Sequence, residues 1–271
     1  MKVAIAGFGY VGRAFYEFFK SHYEVVVYDS SSEVCAKFEF VAGVPSILRD
    51  VGLVVVCVPT PCNADGSVDV SQVVEVLGRL KSNQLVLIKS TIPPRSTDEF
   101  SRKFTHLRLV FSPEYIGESD FYLPPPYDFS KEVVKSPFFI FGGAARDTRE
   151  MVEIFARIAG PVKEYIQTTA LNAELCKYME NAFFACKIIF CNEFANICEA
   201  FGADYNAVRE LWLKDPRITK THTSIYDNGE SYFGGKCLPK DLCGIIASAK
   251  KAGYEAKFLQ TIKELNRKEN K

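Results

Sequence analysis

No two of the nine cysteines in this 271-residue chain stand in a C-x-x-C pair, and their number is odd. Neither a zinc site nor a disulfide framework fits that pattern, so most of these thiols are expected to be reduced core residues. The three histidines, His22, His106 and His222, lack ligand spacing, and no metal is expected. An excess of charge of one sign is also missing. The 33 basic residues balance 33 acidic ones, and without a long basic run there is no electrostatic footprint for nucleic acid or a charged membrane. Apolar runs such as LVVVCV (Leu53–Val58) suit a buried strand and are far too short for a bilayer. The apolar opening MKVAIAGFGYVG lacks the length and small-residue cleavage site of a signal peptide. These absences describe a soluble, cytoplasmic protein, and a 48% hydrophobic composition can fill the core of one large or two ordinary domains.

The opening run is better explained as a strand. KVAIAG (Lys2–Gly7) leads into GFGYVG (Gly7–Gly12), then an amphipathic segment, then EVVVYD ending at Asp29. Strand, glycine turn, helix, strand and acid together form a dinucleotide-binding unit. Gly7 makes the tight turn, Gly9 admits a pyrophosphate close to the backbone, and Gly12 lets the helix pack on the strand. Tyr10 and Val11 open that helix, whose N-terminal amides favour phosphate. Asp29, 22 residues after Gly7, can accept both ribose hydroxyls and would repel a 2′-phosphate, which selects NAD over NADP. Further units follow: LVVVCVPTP (Leu53–Pro61), an Asp-capped helix over Asp69–Lys81, LVLIKSTIPP, LRLVFSPEYIGES and FFIFGG with a helix behind it. Ligands on such sheets bind beyond the carboxyl ends of the strands, which makes Thr60, Thr91 and Glu114 candidates by position.

From Thr169 to Phe201 helix formers run without glycine or proline, and apolar residues occupy nearly every face. Such a helix belongs inside a domain or a subunit interface. Lys177 and Asn181, four apart, share one face. Lys177 is either a functional lysine or a structural one paired with Glu174, since a buried ammonium needs a partner. Downstream, FGGKCLPKD (Phe233–Asp241) places Cys237 where a helix begins, and helix N-termini favour thiolate. The fold expected is α/β: a Rossmann-like doubly wound sheet over residues 1–168, then an all-helical domain over 169–271.

GFGYVG, VPTP, KSTIPP, FSPEYIGES, ELCKYMENAFFACKIIFCNE, DPRI and FGGKCLPKD occur in the order found in nucleotide-sugar 6-dehydrogenases. The chain therefore resembles the UDP-glucose/GDP-mannose dehydrogenase family over almost its whole length, most of all the members that oxidise UDP-glucose to UDP-glucuronate. The resemblance implies an enzyme of polysaccharide biosynthesis that uses two NAD per turnover and holds the aldehyde on a cysteine. By it, Cys237 forms a thiohemiacetal and then a thioester, and Lys177 with Asn181 acts on the alkoxide. Glu114 serves thioester hydrolysis, while Thr91 and Asp241 position water and the lysine. Glu118 and Lys240 join the cofactor contacts with Thr60 and Thr91. Tyr115, Ile116, Phe233, Gly234 and Gly235 border the sugar with Glu114, Lys177 and Asn181. Arg217 reaches a neighbouring subunit, which implies a homodimer through the long apolar helix.

Three features depart from the family. It normally has a third domain, which grips the nucleotide, after a connecting helix, whereas here the sequence stops at KELNRKENK. YLPPPYDFSKEVVKSPFFIFGG stands where an Asn-Pro-x-Arg turn is usual, and Lys236 beside the cysteine replaces a small or aromatic residue. The expectation is therefore UDP-glucose oxidation, with three alternatives: the same chemistry on GDP-mannose or a UDP-N-acetyl sugar, a non-catalytic NAD-binding protein, or a half-enzyme needing a partner chain.

Overall fold

The computed structural model describes residues 1–116, 132–225, 232–235 and 237–268. They fall into two compact units. One comprises residues 1–61, 68–116 and 132–177, and the other residues 62–67 and 178 onward.

The first unit is built on one eight-stranded sheet: β1 (Lys2–Ala6), β2 (Glu24–Tyr28), β3 (Val41–Ala42), β4 (Leu53–Val56), β5 (Leu85–Ile88), β6 (Arg108–Phe111), β7 (Phe138–Gly143) and β8 (Glu164–Thr168). The spatial order is β3-β2-β1-β4-β5-β6-β7-β8. The first six strands are parallel, β7 runs antiparallel to β6, and β8 pairs parallel with β7. The chain reverses its direction of winding between β1 and β4, the position at which doubly wound sheets bind ligands. Every residue of β4 and β5 is buried, which is why LVVV and LVLI are unbroken apolar runs rather than alternating ones. The pleat divides the core. Ala4 and Ala6 enter a cluster with Val54, Val56 and Leu77, and Val3 and Ile5 enter the opposite one with Phe15, Phe19 and Phe155.

Helices α1 (Tyr10–Phe19), α2 (Ser32–Lys37), α3 (Ser71–Gly78), α4 (Ser96–Lys103) and α5 (Ala145–Ala159) complete this unit. Helix α3 starts later than the Asp69 cap suggested. Its N-cap is Val70, and Asp69 accepts the Ser71 amide from one position further out. Strands β3 and β8 and helices α2 and α4 carry no long apolar periodicity, and β8 is largely exposed.

Helix α6 (Ala170–Ala200) is followed by α7 (Tyr205–Trp212), α8 (Cys237–Lys251) and α9 (Lys257–Lys268). In the second unit Ala182, Ala185 and Ile189 of α6 pack with Phe233, with Leu242 of α8 and with Ile262 of α9. That core uses only one side of α6: Met179, Phe183 and Phe201 are 77%, 60% and 85% exposed in this chain. Among the described residues no helix is long and apolar enough to cross a membrane.

Glu174 anchors the start of α6 within the first unit. It is fully buried, and its carboxylate accepts from the Arg95 amide (2.6 Å), the Thr97 amide (2.8 Å) and the Thr97 hydroxyl (2.7 Å). Burial raises its pKa, and the Thr97 and Arg95 donors oppose the shift. Arg95, the N-cap of α4, is left-handed at φ 75° and offers that helix no side-chain cap, so a carboxylate on another helix supplies the cap instead. The structural alternative weighed for Lys177, a pair with Glu174, is therefore not how this carboxylate is satisfied. Glu174→Ala would leave buried donors without an acceptor and should cost about 2–4 kcal/mol in urea denaturation. A change under about 0.5 kcal/mol, the level of a neutral surface substitution, would contradict the anchoring role.

Candidate active site

The cofactor end is defined by the turn after β1. Gly7 has φ +93°, and a Cβ there would lie 2.8 Å from the Cys57 carbonyl. At Gly12 a Cβ would lie 1.9 Å from the Gly7 oxygen, so neither position accepts a side chain. Gly9 is different: an added Cβ meets nothing within 4 Å, and Gly9 caps α1 without a side-chain hydrogen bond. Backbone at Gly9 is thus open to close approach, and the first turn at Tyr10 and Val11 takes no side-chain partner from the cap, as a pyrophosphate requires. Asp29 is fixed beside them. Its Oδ2 accepts from the Phe8 amide at 2.6 Å and its Oδ1 from the Ser31 amide at 2.8 Å, leaving lone pairs on both oxygens for ribose hydroxyls. Thr60 Oγ1 donates to the Thr91 carbonyl at 2.8 Å and ties together the turns beyond β4 and β5. These residues fit a dinucleotide.

Beyond β5 and β6 the first unit holds a buried charged group. Lys89 Nζ donates to the Pro113 carbonyl (2.6 Å) and Ser112 Oγ (3.1 Å), lies 3.3 Å from Glu114 Oε2, and sits 4.9 Å from the centre of the Phe15 ring. Burial lowers the Lys89 pKa, and the Glu114 carboxylate opposes that shift. Glu114 Oε1 accepts the amides of Tyr115 and Ile116 at 2.8 and 2.7 Å, so its carboxylate is oriented from both sides. Lys177 is nearly buried, with Nζ 5.5 Å from the centre of the Tyr115 ring. Thus Glu114, Tyr115, Ile116 and Lys177 come together in this unit, with Thr91 at the end of β5.

In the second unit Asp241 is 1% exposed. Asn181 Nδ2 donates to its Oδ2 and Lys240 Nζ to its Oδ1, both at 2.5 Å. A carboxylate removed from water needs such donors, and here they bind the first turn of α8 to α6. Cys62, whose loop belongs to this unit, reaches the Lys240 carbonyl with Sγ at 3.4 Å. Cys237, the first residue of α8, is exposed. Pro239 is accommodated because the first helical turn needs no amide hydrogen there. Phe233 is buried while Gly234 and Gly235 are exposed.

Arg217 stands apart, ion-paired with Asp215 at 2.6 Å and with its side chain 85% exposed. Glu118, Lys236 and the whole YLPPPYDFSK stretch lie outside the described residues. Two residues of the site escaped the sequence reading. Lys89 had one available signal, a charge directly after the apolar strand LVLI. Asn266, which binds the backbone of Phe233, had none. Asp29→Ala should weaken NAD binding about tenfold, measured by titration calorimetry on the folded variant. Unchanged affinity would remove Asp29 from the cofactor contacts.

Residues 32–158 match the NAD binding domain of the UDP-glucose/GDP-mannose dehydrogenase family, and residues 171–268 match its central domain. A UDP-glucose 6-dehydrogenase of Haloferax volcanii, AglM, is 32% identical over 242 residues, covering 81% of this chain and 53% of the relative. A UDP-N-acetyl-D-mannosamine dehydrogenase of Pyrococcus horikoshii is 29% identical over 286 residues, covering 92% and 65%. The solved UDP-glucose dehydrogenase of Pyrobaculum islandicum superposes with a TM-score of 0.83 at 22% identity over 98% of this chain and 67% of that one, a likeness of fold. The chain spans about half the length of several curated relatives it matches. With both domain matches, the glycine turn and Asp29 in place, the chain belongs to the UDP-glucose/GDP-mannose dehydrogenase family and carries its NAD binding domain.

Proposed function

We propose that this chain carries the working residues of an NAD-dependent nucleotide-sugar 6-dehydrogenase that oxidises UDP-glucose to UDP-glucuronate. The observation that supports it most is an exposed thiol, Cys237, opening a helix whose first turn is fixed by the buried Asp241–Asn181 contact. NAD supplies the hydride acceptor, one molecule for each of two two-electron steps. Lys177 receives the proton of the primary alcohol or stabilises the alkoxide, with Asn181 as a second donor. The Cys237 thiolate then adds to the aldehyde carbon, forming a C–S bond, and loss of a second hydride from that carbon leaves a thioester. Water deprotonated at Glu114 breaks the C–S bond, giving the carboxylate and returning the thiol. A thiol suits this sequence because it captures the aldehyde reversibly and its ester yields readily to water.

Thr91 and Asp241 position the water and the lysine. Glu118 and Lys240 act toward the cofactor together with Thr60. Tyr115, Ile116, Phe233, Gly234 and Gly235 border the sugar. The exposed apolar residues of α6, Met179, Phe183, Phe190 and Phe194, suit a contact between two copies of the chain, and Arg217 would then act across it. The Pyrococcus horikoshii relative favours a second reading, the same chemistry on UDP-N-acetyl-mannosamine.

With limiting sugar, two NADH should form per UDP-glucose consumed. Cys237→Ser should cut acid formation about a thousandfold or more while NAD binding persists. One NADH per sugar would mean that the aldehyde escapes. No NADH from UDP-glucose but two from the N-acetyl sugar would transfer the proposal to the second substrate, and none from either would end it.

A further inference from the structure

The strand of chain that leads into the cysteine is held by a residue far from it in sequence. The Phe233 amide donates to Asn266 Oδ1 at 3.0 Å, and Asn266 Nδ2 donates to the Phe233 carbonyl at 3.0 Å. A side-chain amide carries one acceptor and a donor much as a peptide group does. One asparagine on α9 therefore satisfies both backbone groups of Phe233, as a neighbouring strand would. The Phe233 ring is also buried, against Ala182, Ala185, Leu242 and Ile262.

Gly234 and Gly235, which follow, are exposed. A Cβ added at Gly234 or Gly235 would meet nothing within 4 Å, and Gly235 lies at φ +71°, where a side chain would be strained. Two residues later Cys237 begins α8, whose first turn is bound through Asp241 to Asn181 and Lys240. The thiol is thus set between two fixed points, Phe233 and Asp241. Helix α9 already packs on the core through Leu259, Ile262 and Leu265. Helix α9 thus has an apolar anchorage of its own, and both hydrogen bonds of the asparagine fall on the loop backbone.

We propose that Asn266 is a positioning residue for Cys237, acting through the backbone of Phe233 to set where the thiol meets the aldehyde. This rests on the reading of Cys237 as the nucleophile. Misplacing a nucleophile by about an ångström costs roughly a hundredfold in rate, whereas NAD, bound at the glycine turn of the other unit, should be indifferent.

The test uses the full chain with Asn266→Ala, which removes both hydrogen bonds, and Asn266→Asp, which keeps the acceptor for the Phe233 amide but sets an oxygen against its carbonyl. In both variants kcat should fall about ten- to a hundredfold with KM for NAD unchanged. NADH per sugar should drop below two as aldehyde escapes to a semicarbazide trap. A purely structural residue would lower the active fraction and leave that ratio at two, which would overturn the proposal. Two further readouts need no turnover: hydrogen exchange at the Phe233 amide, and the pH profile of Cys237 alkylation by iodoacetamide followed by peptide mass spectrometry. Both should change in Asn266→Ala. If the unmodified protein oxidised no sugar, the functional reading would fail, and these two would still decide the positioning claim. An alkylation profile identical to that of the unmodified protein would sink it.

Discussion

Charge taken out of water must find partners within the fold, and that constraint organises this protein. Among the described residues six acidic or basic side chains are buried or nearly so: Lys89, Asp147, Glu174, Lys177, Arg209 and Asp241. The partners that Lys89, Glu174 and Asp241 require fix elements that hydrophobic packing alone would leave free to slide. Glu174 binds the start of α6 to the N-terminus of α4. Lys89 ties the turn after β6 to the end of β5 and orients Glu114. Asp241 locks the first turn of α8 to α6 through Asn181. Nonpolar packing gives the layers, and these polar contacts set their register.

In the proposed reaction such restraint of side chains would serve the chemistry. A lysine and a glutamate in mutual contact, each also held by backbone groups, have little conformational freedom to lose when a substrate arrives. Asp241 accepts from two different residues, so its geometry depends on α6 and α8 together. The exposed thiol at the start of α8 contrasts with Cys198, buried on α6, and with Cys191, buried there and hydrogen-bonded to Tyr205. Exposure, helix position and a fixed neighbouring carboxylate distinguish Cys237 from the rest.

Much of this was legible in the sequence. The unbroken runs of β1, β4 and β5 announce buried parallel strands, and the glycine turn with Asp29 announces a nucleotide site, because those residue types are required at those spacings. Lys177 and Asn181 stood out as polar residues in an apolar helix. Less visible were β3 and β8, which are short or exposed and so carry no strong pattern. Glu174 was read as a helical neighbour of Lys177, since i,i+3 spacing is all a sequence shows, whereas its partners lie 77 and 79 positions away. Asn266 was silent for the same reason: a hydrogen bond across 33 residues leaves no local trace. The apolar faces of α6 were read as buried in a domain or an interface. In the single chain one side forms the core with Ile189, and the other, with Met179 and Phe183, is exposed.

The central claim is that Cys237 holds the sugar covalently, and the most direct measurement is the mass of the protein during turnover. Glu114→Gln should slow hydrolysis of the thioester more than its formation. Mixed with UDP-glucose and NAD and quenched in acid, that variant should gain the mass of one UDP-glucuronyl group, and peptide mapping should place it on Cys237. An adduct on another cysteine, or a variant that forms acid at an undiminished rate with no adduct, would contradict the account.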